Sequence, residues 1–367
     1  MKIGSLYYAS DKAMFDALTQ RKVTIAHLRE LFLSRGIIIS PDTDKESLAR
    51  KFSSFFHDYA DFQKLSILIG AHSARERTTN IDLKVALSKQ KLLESLESTK
   101  EMLEDKHQDS VDYWVEGDAI LCTVRYTKTD YGQSEFRQVV QKDAQIKFEP
   151  TADGWKVTGP MNDKFKVVSA ALQSQIETLT DEKVSVVDIS LASFPDSSLR
   201  SKFFRQMIHA LPKIKVLDVI DVATYNPVKD IDDDMLEDEF DSLDGDEPEI
   251  KETKAITRIS KAQLRGQGVL ESEQLLSLEE NGFYIWKILW HAVDENQFDS
   301  DVYVLESQFG RQSECADFSY IVKGVMRYQS VGEYGARVKA NPVDEERIKK
   351  LIVKAAESTL AALTKGK

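Results

Sequence analysis

The hydrophobic periodicity changes once, near Val111, and that change limits the fold more than any motif does. Before it, apolar residues recur three and four apart, the spacing of one helix face. "VTIAHLRELFLSRG" places Ile25, Leu28, Leu31 and Phe32 together and stops at Gly36, the usual left-handed residue after a helix. "TDKE", from Thr43 to Glu46, has the spacing of a capping box and opens a second helix with Leu48, Phe52, Phe55 and Phe56 inward. "FQKLSILIG" follows, and then a long amphipathic helix expected from about Ile81 to Asp105, through Leu83, Leu87, Leu92, Leu96 and Leu103. Beyond Val111, "YWVEGDAILCTVRYT" and "DAQIKFEPTADGWKVTG" are aromatic and β-branched runs broken by turn signals. This order predicts an α+β chain: an N-terminal all-helical module, then a strand-rich α+β body.

Within the body, a helix is expected over 163–180. "KVSVVDISL", "SSLRSKFFRQMIHAL" and "KIKVLDVIDV" read as strand, helix, strand, and a last helix runs from Pro342 to about Leu363. A faint internal repeat runs through it. "YGQSEF" recurs as "FGRQSEC", and "DGWKVTGPMND" is matched by "EYGARVKANPVD", each before an amphipathic helix. The expected organisation is therefore 1–107 helical, 108–228 as one α+β half, 229–253 as an acidic linker or insert, and 254–367 as a second half, possible copies of one unit.

Charge is segregated as sharply as periodicity. Of 49 Lys+Arg and 61 Asp+Glu, the stretch "DIDDDMLEDEFDSLDGDEPEIKE" from Asp230 to Glu252 holds thirteen acids and one lysine, which accounts for the whole net charge of −12. The rest balances at 48 against 48, so the low pI does not exclude a basic face elsewhere. Met235, Leu236, Phe240 and Leu243 within the stretch set it apart from a plain spacer. A solvated linker, a docking site for a basic partner, and an intramolecular competitor that tempers nucleic-acid binding are its three readings. The start lacks the charged and apolar regions of a secretory signal, and no run of apolar residues is long enough to span a membrane. Cys122 and Cys315 stand far apart, which excludes a disulfide framework and a zinc ribbon, so a cytoplasmic location is expected.

The N-terminal helix pair, "VTIAHLRELFLSRGIIISPDTDKESLARKF", resembles the SAP-type helix–extended loop–helix motif. Leu28, Leu31, Arg35, Gly36, Ser40, Lys45 and Leu48 stand at the matching positions; the loop is about two residues longer than the pattern, and Pro41 replaces a small residue. The likeness covers about a tenth of the chain. It implies sequence-tolerant DNA binding, with the loop and the second helix N-terminus facing phosphates. Helix N-termini do attract phosphate, and Arg29, Arg35, Lys45, Arg50 and Lys51 are close enough in sequence to share a face, Ser40 lying between them. A helical hairpin with solvated charges accounts for the same residues. "HSARERTTN" adds His72, Arg75 and Arg77 at a loop junction, as phosphate contacts or as surface ion pairs.

Catalytic constellations are missing. The six histidines show no HExxH or paired metal spacing, no GxSxG occurs, and Gly266 and Gly268 in "RGQGV" lack the remaining residues of a phosphate-binding loop. Asp301, Glu306 and Gln308 loosely suggest a nuclease metal site, with Gln in place of the usual Lys. Trp114, Trp155, Trp286 and Trp290 all fall in expected strands, where packing explains aromatics more often than base stacking does. No cofactor and no metal is expected. The leading expectation is a non-enzymatic DNA-binding subunit of a DNA-processing or phage-defence assembly, in contact with another protein subunit and with no membrane. Its alternatives are an interaction scaffold without nucleic acid and a divergent Mg²⁺-dependent nuclease.

Overall fold

The computed structural model describes residues 10–69, 75–132, 134–227 and 259–366. His72 and the acidic stretch from Asp230 to Glu252 lie outside the described residues. The chain forms two compact units: Met1–Glu76, Leu87–Glu149 and Asn162–Lys183 in the first; Arg77–Ala86, Pro150–Met161 and Val184–Lys367 in the second. It is α+β, with helices preceding a strand-rich body and antiparallel strand pairing throughout the described ladders.

The first unit opens with four short helices: α1 (Asp11–Thr19), α2 (Ile25–Leu33), α3 (Lys45–Ser53) and α4 (Tyr59–Leu68). Each N-terminus has a side-chain cap: Ser10, Thr24, Asp44 and Asp58 accept a hydrogen bond from the first turn. The second helix of the pair is thus capped by Asp44, which accepts from Ser47 N, and not by Thr43. A carboxylate at the dipole's positive end is the stronger cap. Met14, Leu18, Leu28, Phe32, Leu48, Phe52 and Leu65 fill the shared core, and Phe136 of the one-turn α6 (Glu135–Gln138) stacks on Phe62 at 4.7 Å. The rest of this unit is an antiparallel meander, β2 (Ser110–Glu116), β3 (Ala119–Thr129) and β4 (Val139–Thr151), with α5 (Lys89–His107) packed on α7 (Asp163–Thr180).

One expected element is different. Residues 81–84 belong to strand β1 (Thr78–Lys84), and the helix begins only at Lys89, capped by Ser88. Ile81 and Leu83 sit opposite Val157 and Trp155 of β5 (Gly154–Pro160), so their spacing serves a ladder and not a helix face. The helix over 163–180 forms as expected, capped by Asn162.

In the second unit the strand order is β5, β1, β11 (Ala316–Ser330), β10 (Val302–Arg311), β9 (Tyr284–Asp294), β7 (Ile214–Tyr225), β8 (Lys261–Arg265), with β6 (Ser185–Asp188) on β1 and β12 (Glu333–Val338) on β11. One sheet face packs against α8 (Ser197–His209) and α10 (Pro342–Lys365), burying Phe203, Phe204, Trp290, Phe309, Phe318 and Tyr320; the short α9 (Glu273–Glu280) precedes β9. Edge-to-face pairs such as Phe204 on Phe309, 5.5 Å between centroids, contribute roughly 0.5–1.5 kcal/mol each beyond burial. Of the four tryptophans, Trp155 and Trp290 are buried and Trp286 packs against this core, whereas Trp114 is half exposed. Leaving aside the one-turn α6 and a 3-10 turn at 269–271, strand, helix, four strands, helix is the element order over both 78–180 and 261–365. The two helices closing these runs are both capped by asparagine, Asn162 and Asn341. No helix among the described residues is long and apolar enough to cross a membrane.

Candidate functional site

Two cation-rich places emerge, and the sequence singled out only one of them. In the helical module most of the expected phosphate contacts are turned onto the protein itself. Arg35 lies above Phe52 and Phe55, 4.9 and 5.4 Å from their ring centroids. It donates to Phe56 O at 2.7 Å, to His57 Nδ1 at 3.1 Å and to the Asp61 carboxylate. His57 Nε2 lies 2.9 Å from Phe52 O. Lys45 caps the end of α1, donating to Thr19 O at 2.9 Å and Gln20 O at 2.7 Å. Arg50 pairs with Glu46 at 2.9 Å, and exposed Arg29 donates to Pro41 O at 2.6 Å. Ser40 Oγ accepts from Asp42 N at 3.4 Å, which closes the loop, and Lys51 is exposed. Over residues 10–69 nine Lys/Arg face eight Asp/Glu, so the module is close to electroneutral.

The same fold leaves apolar side chains outside. Leu33, at the end of α2, is 64% exposed; Ile38, just beyond Gly36, 89%; and Phe56, just beyond α3, 98%. Gly36 adopts φ 73°, which lets the chain turn off α2 directly into Ile37 and Ile38. Arg35 holds the Phe56 carbonyl, and Phe32 packs on Phe52 and Phe55, so the ends of α2 and α3 are fixed side by side.

The second place is in the strand body. Glu306, at the centre of β10, is completely buried, and three cations converge on it. Arg77 donates to Oε1 through Nε at 3.0 Å and also through Nη2; Lys323 reaches Oε2 at 3.2 Å and Lys287 the same oxygen at 3.6 Å. Burial alone would raise the Glu306 carboxyl, but the hydrogen bond and charge of Arg77, with Lys287 and Lys323, outweigh it and hold the group below its ordinary value. The two ammoniums share one oxygen and so lie no more than about 7 Å apart; at an effective dielectric near 20 they repel by roughly 2–3 kcal/mol. Lys323 occupies an extra position in β11 where the register shifts. Gly324 beside it has φ 156°, and a Cβ there would stand 2.5 Å from Val338 O, so only glycine lets β12 close on this bulge.

Register places further polar groups on the same face. Gln308, two residues along β10 from Glu306, lies between Lys287 on one side and Ser319 on the other. Ser319 is 1% exposed and its hydroxyl has no hydrogen-bond partner among the described residues. Of the residues expected to contact phosphate, then, only Arg77 enters this cluster, beside Glu306 and Gln308 of the loosely suggested metal site; Arg75 is exposed two residues before it. Lys287, Lys323 and Ser319 were not anticipated. Asp301 does not join Glu306: it binds Arg327 and accepts from Tyr328 N at 3.0 Å. A carboxylate ringed by three cations is not a divalent-metal ligand, and among the described residues no three His, Cys, Asp or Glu side chains gather to hold an ion. Gly266 and Gly268 form a turn whose Gly268 amide already donates to Asp218 at 2.8 Å. Both cysteines are buried, and burial pushes their thiols up to about 12, which makes them unreactive.

No known protein family matches this chain, and no characterised protein matches it in sequence. The helix-pair likeness therefore rests on the residues quoted for it.

Proposed function

We propose that this is a cytosolic, non-enzymatic scaffold whose N-terminal helices dock on another protein through an apolar surface. The observation that carries the reading is an inversion in the helix pair. Arg29, Arg35 and Lys45 are bonded to backbone carbonyls and Arg50 to Glu46, while Leu33, Ile38 and Phe56 are exposed on the adjoined ends of α2 and α3. Large apolar side chains left exposed near one another's chain segments in this way are what a protein-binding surface supplies. Burying three such side chains is worth on the order of 5 kcal/mol. Cations already bonded within the module, by contrast, are less free to neutralise phosphates and release counterions.

The competing nucleic-acid reading is tested in the same experiment. Two variants of the full chain are compared with the wild type: Leu33→Ser/Ile38→Ser/Phe56→Ser, and Arg29→Gln/Lys51→Gln, which removes two exposed cations without touching Arg35 or Lys45. The scaffold reading expects one protein to co-purify stoichiometrically with the wild type and with the cation variant, and to be lost with the apolar variant. Steeply salt-dependent binding to duplex DNA, lost in the cation variant and kept in the apolar one, overturns it in favour of DNA.

A further inference from the structure

We propose that Arg77, Lys287 and Lys323 form a binding site for a phosphate monoester dianion, completed by Gln308 and Ser319. The first argument is charge. One buried carboxylate needs one cation, yet Glu306 has three, which leaves two positive charges in a single cluster. Two lysines crowded on one oxygen repel each other, and a dianion placed between them relieves that repulsion. A phosphate monoester carries close to two negative charges at neutral pH, so it matches the surplus. A carboxylate ligand would leave half of it uncompensated, and a metal cation would be repelled.

The second argument is donor geometry. Arg77 uses Nε and Nη2 on Glu306, so its Nη1 donors point elsewhere; Lys323 spends one N–H of three on the same carboxylate, and Lys287, an ion pair at 3.6 Å, is not hydrogen-bonded to it. Arg77 and Lys323 keep about a third of their side-chain surface open, which gives an incoming anion access. Glu306 thus acts as a fixed counter-charge that gathers and orients the three cations, and the ligand takes the donors that remain.

The third argument is independent of charge. A buried hydroxyl without a partner costs about 1–3 kcal/mol, and among the described residues Ser319 Oγ is such a group. It stands across from Gln308, which is in turn across from Lys287, in one row on the face that carries Glu306. A phosphoryl oxygen at this row supplies the acceptor that the hydroxyl lacks.

Titration calorimetry of the full chain with inorganic phosphate, at fixed ionic strength in chloride, tests the site. One phosphate should bind per chain. Lys287→Gln/Lys323→Gln keeps the Arg77–Glu306 pair, so the body should still melt cooperatively, and its affinity should fall by at least about tenfold. Ser319→Ala should weaken binding a few-fold. No binding by the wild type at millimolar phosphate, or equal binding by a folded double lysine variant, overturns the proposal. Short single strands with a 5′-phosphate or a 5′-hydroxyl then identify the source. Tighter binding of the phosphorylated strand assigns the site to a nucleic-acid end; equal binding of both strands, with inorganic phosphate still bound, assigns it to a small phosphate.

Discussion

The helical module and the strand body use cations in opposite ways. In the module Arg29, Arg35, Lys45 and Arg50 each have a partner of their own, a carbonyl or a nearby carboxylate, and the contacts span a few to a few tens of residues. They are clamps on a small core. In the body three cations from three different strands or their approaches share one carboxylate, and the contacts cross 17 to 229 residues. That arrangement has more positive charge than its structural task requires. Lys/Arg content alone would have ranked the module as the anion-binding region; pairing reverses the ranking.

The largest effect expected to sharpen this contrast is Glu306→Gln. It leaves three cations facing a neutral amide in a buried place and should destabilise the body by roughly 3–5 kcal/mol in urea unfolding. Acid should do the same to the wild type. The Glu306 carboxyl is held below its ordinary value, so its contribution is fully present above the ordinary carboxylate range and is lost as pH falls through the lowered value. Stability of Glu306→Gln should fall less with acidification, and parallel curves for the two proteins would break the assignment. Arg35→Ala comes next. It removes the bond to Phe56 O, the Asp61 pair and the stacking over Phe52 and Phe55 together, and should cost about 2–3 kcal/mol, seen as loss of helical circular dichroism at lower temperature. Arg50→Ala is the smallest: an exposed pair one turn apart with Glu46 should change stability by no more than about 0.5 kcal/mol. A larger loss there than at Arg35 would mean that the module's clamps are misassigned.

Much of the fold was legible because local signals agreed with it. Helix α7 was expected over the residues that form it, since Asn162 and the Phe165, Val168, Leu172 and Ile176 spacing mark its start and face. Strand β1 was missed because Leu83, Leu87, Leu92 and Leu96 continue one helical spacing across the real boundary. Ser88, an N-cap residue standing just before "KQKLLESL", was the signal against it. The two similar segments of the sequence fall on β5 with the cap of α7 and on β12 with the cap of α10. The Glu306 cluster was not legible as a cluster, because sequence does not say which strands become neighbours. A trace of it was present all the same. "YIWKILW", "VYVLESQF" and "YIVKGVM" each carry a single charge in the middle of an apolar strand, and those charges are Lys287, Glu306 and Lys323. Lone charges of opposite sign at strand centres are a reason to look for one another.

The separation of Arg77 from Glu306 also sets an order of events during synthesis. Arg77 leaves the ribosome 229 residues before the carboxylate it needs, and at 5–20 residues per second that is a wait of roughly 10–45 s. Strand β1 likewise meets Tyr320 of β11 only after most of the chain has been made. The helical module has no such dependence on β10 or β11 and acquires its core early. The body closes only on a carboxylate made 229 residues after Arg77.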